Sequence, residues 1–393
     1  MNHKLLNSEI QNFITTNADK EVSQLALQKN PFPDVNWIEI VHQISAKSKA
    51  KNKLPTWFKT KGIFYPTKIS VEQTSSEEAG NYKSTLVNGE NLIDLTGGFG
   101  IDTYFFSRKI NSVVHCEIDS ELSEIAKHNF EKLNIKNISC INGDSYTILQ
   151  NLDKKFRWIY IDPSRRNETK GKVFMFKDCT PNVTELLDFY LDYSDNILIK
   201  TAPILDITAG IAELKNVKTI HIVAIENEVK ELLWIVSKDY SGEISIKTVN
   251  IAKKEMSKFE FILGVNKGIP SFSLPEKFLF EPNSAIMKSG GFDEVSVFFN
   301  LKKLHNHSHL YTSNTIIDFP GRIFRIENCF IYNKANMKQH LEHQKMNITV
   351  RNFPESVETI RKKWKIKEGG DKYCFFTTDT NNHKIVLICT KIK

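Results

Sequence analysis

The segment NLIDLTGGFGIDT, residues 91–103, constrains the fold more than any other stretch. Its apolar start, residues 92–95, has the length and continuity of a buried parallel strand. Gly97, Gly98 and Gly100 then interrupt it before helical character resumes at Asp102. A strand, a glycine turn and a helix start in that order let a ligand lie against bare backbone, because a side chain on the turn would occupy the same space. Many Rossmann-like folds share such a turn, so the ligand has to be read from the strands downstream of it.

Residues 112–116 form a second apolar run and end in Glu117, about twenty residues on, the interval at which an acid meets a ribose hydroxyl pair. Residues 138–141 lead into Asn142-Gly143-Asp144, and residues 158–161 end in Asp162-Pro163. With Asp94, four strands each finish on an acid. The carboxyl ends of parallel strands in an open α/β sheet line one crevice, so these acids are expected to converge on one ligand. Charge narrows the choice: a dinucleotide pyrophosphate would be repelled by Asp102 near the helix start, and Thr103 stands where a third small residue is wanted. A cationic ligand without phosphate suits the crevice. Each acid also has a plainer use, Asp94 and Asp102 as cap or turn residues, Glu117 as a surface acid and Asp144 in an ordinary turn.

In these motifs the sequence resembles the class I S-adenosylmethionine-dependent methyltransferases, most closely over residues 76–200. The resemblance implies that DLTGGFG is the methionine-binding turn, with Asp94, Thr96, Gly98, Gly100 and Asp102 at the S-adenosyl-L-methionine cofactor. It places Glu117 on the ribose, Asp144 on the adenine amino group, and DPSRR (residues 162–166) on the acceptor side. Asp162 then serves cofactor and chemistry together, with Arg165 and Lys200 as the other catalytic candidates. Arg165, Arg166 and Lys83 are the candidate substrate contacts. Amino-directed members usually carry an aromatic where Arg165 stands; an arginine there can stack on a base or clamp a phosphate. Ribose methyltransferases resemble one another in a Lys-Asp-Lys-Glu set, for which Lys83, Asp162, Lys200 and Glu226 are available. Cys179 in DCTPNVTEL resembles the nucleophile segment of uracil C5-methyltransferases, but it precedes the fifth strand instead of coming after it, which argues against covalent catalysis.

The rest of the chain organises around this core. Apolar spacing at Val22 and Leu25, and again at Ile38, Val41 and Ile44, with Pro31 and Pro33 between, predicts a helical N-terminal cap over residues 1–75. Ser75 and Glu78 have capping-box spacing for the next helix. Alternating strand and helix patterns predict a Rossmann-like, doubly wound domain over residues 76–264, its last strands forming an antiparallel edge. Gly268, Pro270 and Pro275 mark a linker. Beyond it come a small α+β (ferredoxin-like) unit, residues 276–320, and an α+β unit, residues 321–393. The pieces EQTSSEEAGNYK, EPNSAIMKSGGF and FPGRIF resemble a bacterial group of class I methyltransferases with a C-terminal THUMP-like domain, which implies an RNA partner, rRNA or tRNA. The expected fold class is therefore α/β, with a helical cap before it and a THUMP-like α+β domain after it.

Charge supports a polyanionic partner. Residues 321–393 hold fifteen Lys and Arg against seven Asp and Glu, an excess of eight in a chain whose net charge is +7. Six scattered cysteines without a CxxC pair suit a reducing, cytoplasmic setting. No apolar run reaches membrane-spanning length, and the N-terminal MNHKLLNSEI lacks the apolar core of a secretion signal. The alternating histidines of HNHSH (residues 305–309) have no companion ligand nearby and read as a polar loop, so no metal is expected. Two other function classes stay open on sequence alone: a non-catalytic RNA-binding adaptor on this fold, and a methyltransferase of a non-nucleic-acid substrate.

Overall fold

A computed structural model describes residues 1–66, 71–165, 175–253, 255–265 and 268–393; the Arg165 side chain and all of Arg166 lie outside that set. The chain divides into two compact units, Met1–Lys218 with Leu232–Gly242, and Thr219–Glu231 with Glu243–Lys393.

The first unit holds strands β1 (Asn91–Asp94), β2 (Ser112–Glu117), β3 (Ile138–Asn142), β4 (Trp158–Ile161), the two-residue β5 (Ser164–Arg165) and β6 (Cys179–Thr180), and β7 (Asn196–Thr201). After β8 (Val217–Ile225), which falls almost wholly in the second unit, the end of β9 (Glu228–Ser237) returns to the first. The order is β9-β7-β4-β1-β2-β3, parallel throughout except where β9 runs against β7. The chain leaves β1 towards β2 and β3 and later returns to β4 on the other side. Strand order therefore reverses between β1 and β4, where an open α/β sheet holds its ligand.

The N-terminal helices share one core with the glycine turn. Leu25, Ile40, Ile44, Leu54 and Trp57 pack with Phe99, Ile101, Tyr104, Phe105 and Phe130, and the Trp57 ring meets Tyr104 edge-on at 4.7 Å. Covering that face of the site removes a large apolar area from water. The helix Glu77–Ser84 is capped by Ser76, whose hydroxyl accepts from Ala79 N–H. The capping role predicted for Ser75 thus belongs to the next residue, and Ser75 is released for the site.

In the second unit β8 and β10 (Ser245–Ile251) are parallel, and β11 (Met256–Ile262) adds antiparallel to β10. A separate sheet comes next, of β12 (Phe278–Pro282), β13 (Lys302–Lys303), β14 (Tyr311–Ser313), β15 (Gly321–Ile331), β16 (Asn347–Val350), β17 (Lys372–Thr378) and β18 (Lys384–Lys391), in the order β13-β14-β12-β15-β18-β17-β16. Alternation along its strands makes two cores. Cys374, Phe376 and Val386 pack with Met337 and Ile360 of the helices Lys334–His340 and Val357–Trp364. Phe375, Ile385 and Leu387 pack with Leu304 and Leu310 in the opposite cluster. The sequence pattern does not announce the helix at Phe292–Phe298.

Gly100 has φ +85°, and a Cβ there would lie 2.4 Å from Phe130 Cζ. Gly100→Ala is therefore expected to cost about 2–4 kcal/mol, from left-handed strain plus overpacking. Urea denaturation checks this, and an unchanged midpoint would contradict it.

Candidate functional site

At the end of β1 the Asp94 side chain, 1 % exposed, ties both flanks of the glycine turn together. Its Oδ1 accepts Thr96 N–H at 3.0 Å and its Oδ2 accepts the Thr103 hydroxyl at 2.6 Å. Thr96 Oγ1 in turn accepts Asp162 N–H at 2.6 Å, joining the ends of β1 and β4. On the other side Gly98 N–H donates to Glu117 Oε2 at 2.8 Å, and Asp119 N–H donates to Glu117 Oε1, also at 2.8 Å. The turn is thus fastened to β1, β2 and β4 by charge-assisted and backbone bonds.

Around it opens a cleft of about 430 Å³, within the range of small-molecule sites. Thr96, Gly98, Glu117, Asp144 and Asp162 all line it, with Ile118 and Pro181 among its apolar walls. Gly98 has φ +56°, and a Cβ there would meet only Thr96 O, at 3.8 Å, so its missing side chain leaves open space. Glu117 spends one bond on each carboxylate oxygen, and a carboxylate oxygen can accept two. Asp144 is exposed and caps the helix Ser145–Leu152, its Oδ1 accepting Thr147 N–H at 3.0 Å.

Three of the four strand-end acids, Glu117, Asp144 and Asp162, therefore share one cleft. Asp94 does not line it; it sits in an adjoining recess of about 140 Å³ with Asp102, Tyr160 and Lys200, and Thr96, Gly98 and Asp162 border both spaces. Gly100 lines the recess as well, with Gln73, Thr74 and Ser75.

The recess has a charge network that sequence reading does not assemble. Asp102 Oδ2 accepts Tyr160 O–H at 2.7 Å and Ser75 O–H at 3.0 Å, while Lys83 Nζ lies 3.2 Å from Asp102 Oδ1 and donates to Ser75 Oγ at 3.1 Å. Burial alone would lift the Asp102 carboxyl, but Lys83, the charge of Lys200 and the Tyr160 bond hold it below the ordinary carboxylate range. Lys83, expected from the sequence to contact a substrate, is instead 0 % exposed, with its ammonium committed to Asp102 and Ser75. Two signals are legible: Tyr160 sits two residues before Asp162, and Lys83 sits eight after Ser75 on the helix preceding β1. Lys200, at the end of β7, pairs with Asp162 Oδ2.

β5 pairs with β6, Ser164 opposite Thr180 and Arg165 opposite Cys179, which brings Ser164, Thr180 and Pro181 to the cleft wall. The Arg165 side chain and Arg166 fall outside the described residues. Cys179 is buried. Glu226 belongs to the second unit, where its Oε1 accepts Lys253 N–H at 2.9 Å. In HNHSH, His305 bonds Asn382 at 3.1 Å and His309 stacks on Phe292 at 3.5 Å. Among the described residues no group of three or more His, Cys, Asp or Glu is arranged to hold a metal ion, and no helix is long and apolar enough to cross a membrane.

Comparison with known proteins adds the family context. Residues 278–320 match a ferredoxin-like domain family and residues 321–391 a THUMP domain-like family. A crystal structure from Porphyromonas gingivalis W83, of a protein provisionally assigned as a methyltransferase, is 28 % identical; the match covers 100 % of both chains at a TM-score of 0.88. The chain has a methyltransferase fold and ends in a THUMP-like domain. Partial likenesses include a provisionally assigned class I S-adenosylmethionine-dependent methyltransferase of Listeria monocytogenes, 11 % identical over 62 % of this chain and 93 % of that one, TM-score 0.39. Another is an rRNA methylase of Streptococcus thermophilus, 15 % identical over 40 % and 93 %, TM-score 0.29. No curated protein matches the chain.

Burial, reinforced by the charges of Asp102 and Asp162, lifts the Asp94 carboxyl to about 7 against the Thr103 and Thr96 hydrogen bonds that oppose it. A carboxyl raised in the fold binds more protons folded than unfolded, so its charge costs stability increasingly as pH rises from the unfolded value, 3.8, towards 7. Asp94→Asn keeps the shape and an acceptor without the charge. Its stability relative to wild type is expected to grow by roughly 1–4 kcal/mol between pH 4.5 and 8; melting curves that stay parallel across that range would contradict it.

Proposed function

We propose that this protein transfers a methyl group from S-adenosyl-L-methionine to RNA, at a base nitrogen or a ribose hydroxyl. The observation that carries the reading is the cleft in which Glu117, Asp144 and Asp162 surround the bare backbone of Gly98. Its chemistry fits that cofactor: an open cradle at the turn, a carboxylate with spare acceptor capacity for a ribose hydroxyl pair, and negative side chains for a sulfonium and an ammonium. The methyltransferase assignment of the Porphyromonas protein, matched along the full chain, supports the same reading.

When bound, the cofactor supplies a methyl carbon already activated by positive sulfur, so the protein's work is alignment and proton management. Glu117 holds the ribose and Asp144 the adenine amino group. Thr96, Gly98, Gly100 and the two buried carboxylates Asp94 and Asp102 shape the methionine end. Asp162 is fixed by its backbone bond to Thr96 and faces both cleft and recess, where it orients the acceptor and takes its proton, with Lys200 compensating its charge. Arg165 and Arg166 follow Ser164, which lines the cleft, in the sequence, and they are the residues assigned to the RNA. In this scheme residues 1–75 cap the catalytic domain, 76–264, the unit 276–320 connects it to the rest, and 321–393 engages RNA through its positive charge.

Incubation with radiolabelled S-adenosylmethionine and RNA from cells lacking this gene tests the scheme. Label is expected in RNA, falling about 10²–10⁴-fold with Asp162→Asn. Label entering only protein or small molecules would overturn the RNA assignment, and an unaffected Asp162→Asn would overturn the role of Asp162.

A further inference from the structure

The motifs EPNSAIMKSGGF and FPGRIF contribute no residue to the cleft, yet they meet in the second unit. Glu281, on β12, stands opposite Arg322, on β15, in the strand register. Arg322 Nε donates to Glu281 Oε2 at 2.7 Å, and its Nη2 pairs with the same oxygen. Arg351, just beyond β16, donates from Nη2 to the other oxygen, Oε1, at 3.1 Å. One carboxylate, its side chain 3 % exposed, is thus gripped by two guanidiniums whose side chains are 37 % and 35 % exposed.

We propose that Arg322 and Arg351, set on Glu281, form a clamp for a phosphate group, and that RNA backbone provides that phosphate. Charge is the first support: two guanidiniums on one carboxylate leave a local excess of +1, and the carboxylate lies at the buried side while the cations reach solvent. Donor count is the second. Each guanidinium has five N–H donors in a planar fork that matches phosphate geometry, and Glu281 engages only part of them. Preorganisation is the third. The Arg322 guanidinium lies 5.4 Å from the Phe324 ring and 5.9 Å from the Tyr373 ring, so the fork is held by stacking as well as by Glu281. An ordered fork loses little side-chain entropy on taking an anion.

The phosphate chemistry stands on this geometry alone; its RNA source rests on the proposed function. Either arginine can be removed while Glu281 keeps the other, so single variants are expected to fold. In the first arm, melting of the full chain is compared in inorganic phosphate and in chloride at equal ionic strength. Phosphate is expected to raise the wild-type midpoint, and Arg351→Gln and Arg322→Gln are expected to lose that rise. Lys338→Gln, on the helix Lys334–His340, should keep it. Equal phosphate responses in wild type and both arginine variants, or an equal loss in Lys338→Gln, would overturn the clamp. The second arm measures binding of a labelled RNA hairpin against salt: each arginine variant is expected to bind about tenfold more weakly, with a log–log salt slope shallower by about 1. A phosphate response lost in the variants while their RNA affinity stays unchanged would keep the clamp and overturn its RNA source. Wild-type protein that binds phosphate but no RNA would refute the RNA part of the proposed function and leave the clamp standing.

Discussion

A buried carboxylate holds the candidate site together. Asp94 accepts from Thr96 and from Thr103, so the residues flanking the glycine turn are anchored to one side chain at the end of β1. Once Thr96 is fixed, its hydroxyl fixes the backbone of Asp162; once the turn is fixed, Gly98 N–H meets Glu117. The cleft is therefore a consequence of turn geometry: backbone donors hold the Glu117 and Asp144 carboxylates, and Asp162 is fixed through its own N–H and its pairing with Lys200. Such groups need little reorganisation when a charged ligand arrives.

The same arrangement places unusual charge density at the sheet's carboxyl edge. Asp94, Asp102 and Asp162 border a recess of about 140 Å³, answered by Lys83 and Lys200. The two lysines divide the work. Lys83 is wholly buried and keeps Asp102 ionised, whereas Lys200 pairs with the partly exposed Asp162 where the two spaces meet. Asp94 is the acid whose carboxyl rises, because burial outweighs its hydrogen bonds and both neighbouring aspartates oppose its charge. Carboxylates so close together, in environments so different, are driven apart in acidity, Asp94 upward and Asp102 downward.

Much of this is legible in the sequence because it is local. The apolar runs before Asp94, Glu117, Asp144 and Asp162 are the strands β1 to β4 in the expected parallel order, and strand polarity alone brings Glu117, Asp144 and Asp162 to one cleft. What sequence reading misses is long-range. The choice between Ser75 and Ser76 as helix cap depends on Asp102, twenty-seven residues from Ser75, which claims the Ser75 hydroxyl. Lys83 looks available in the sequence because an isolated helix exposes such a residue; its pairing with Asp102, itself bonded to Tyr160, goes with complete burial. Asp94 looks like a ligand group because its strand-end position matches the others, yet it works beneath the turn. The Glu281 pair with Arg322 and Arg351 joins residues forty-one and seventy positions apart, beyond the reach of spacing arguments.

The central claim is that the cleft around Gly98 holds a cationic, nucleoside-bearing cofactor against bare backbone. Calorimetric titration of the full chain with S-adenosylmethionine, beside Gly98→Arg, tests it directly. Saturable binding is predicted for the wild-type protein and none for a folded Gly98→Arg, whose side chain fills the cradle with like charge. A wild-type protein that releases no binding heat and gains no thermal stability from the cofactor, or a Gly98→Arg variant that binds as well as wild type, would contradict it.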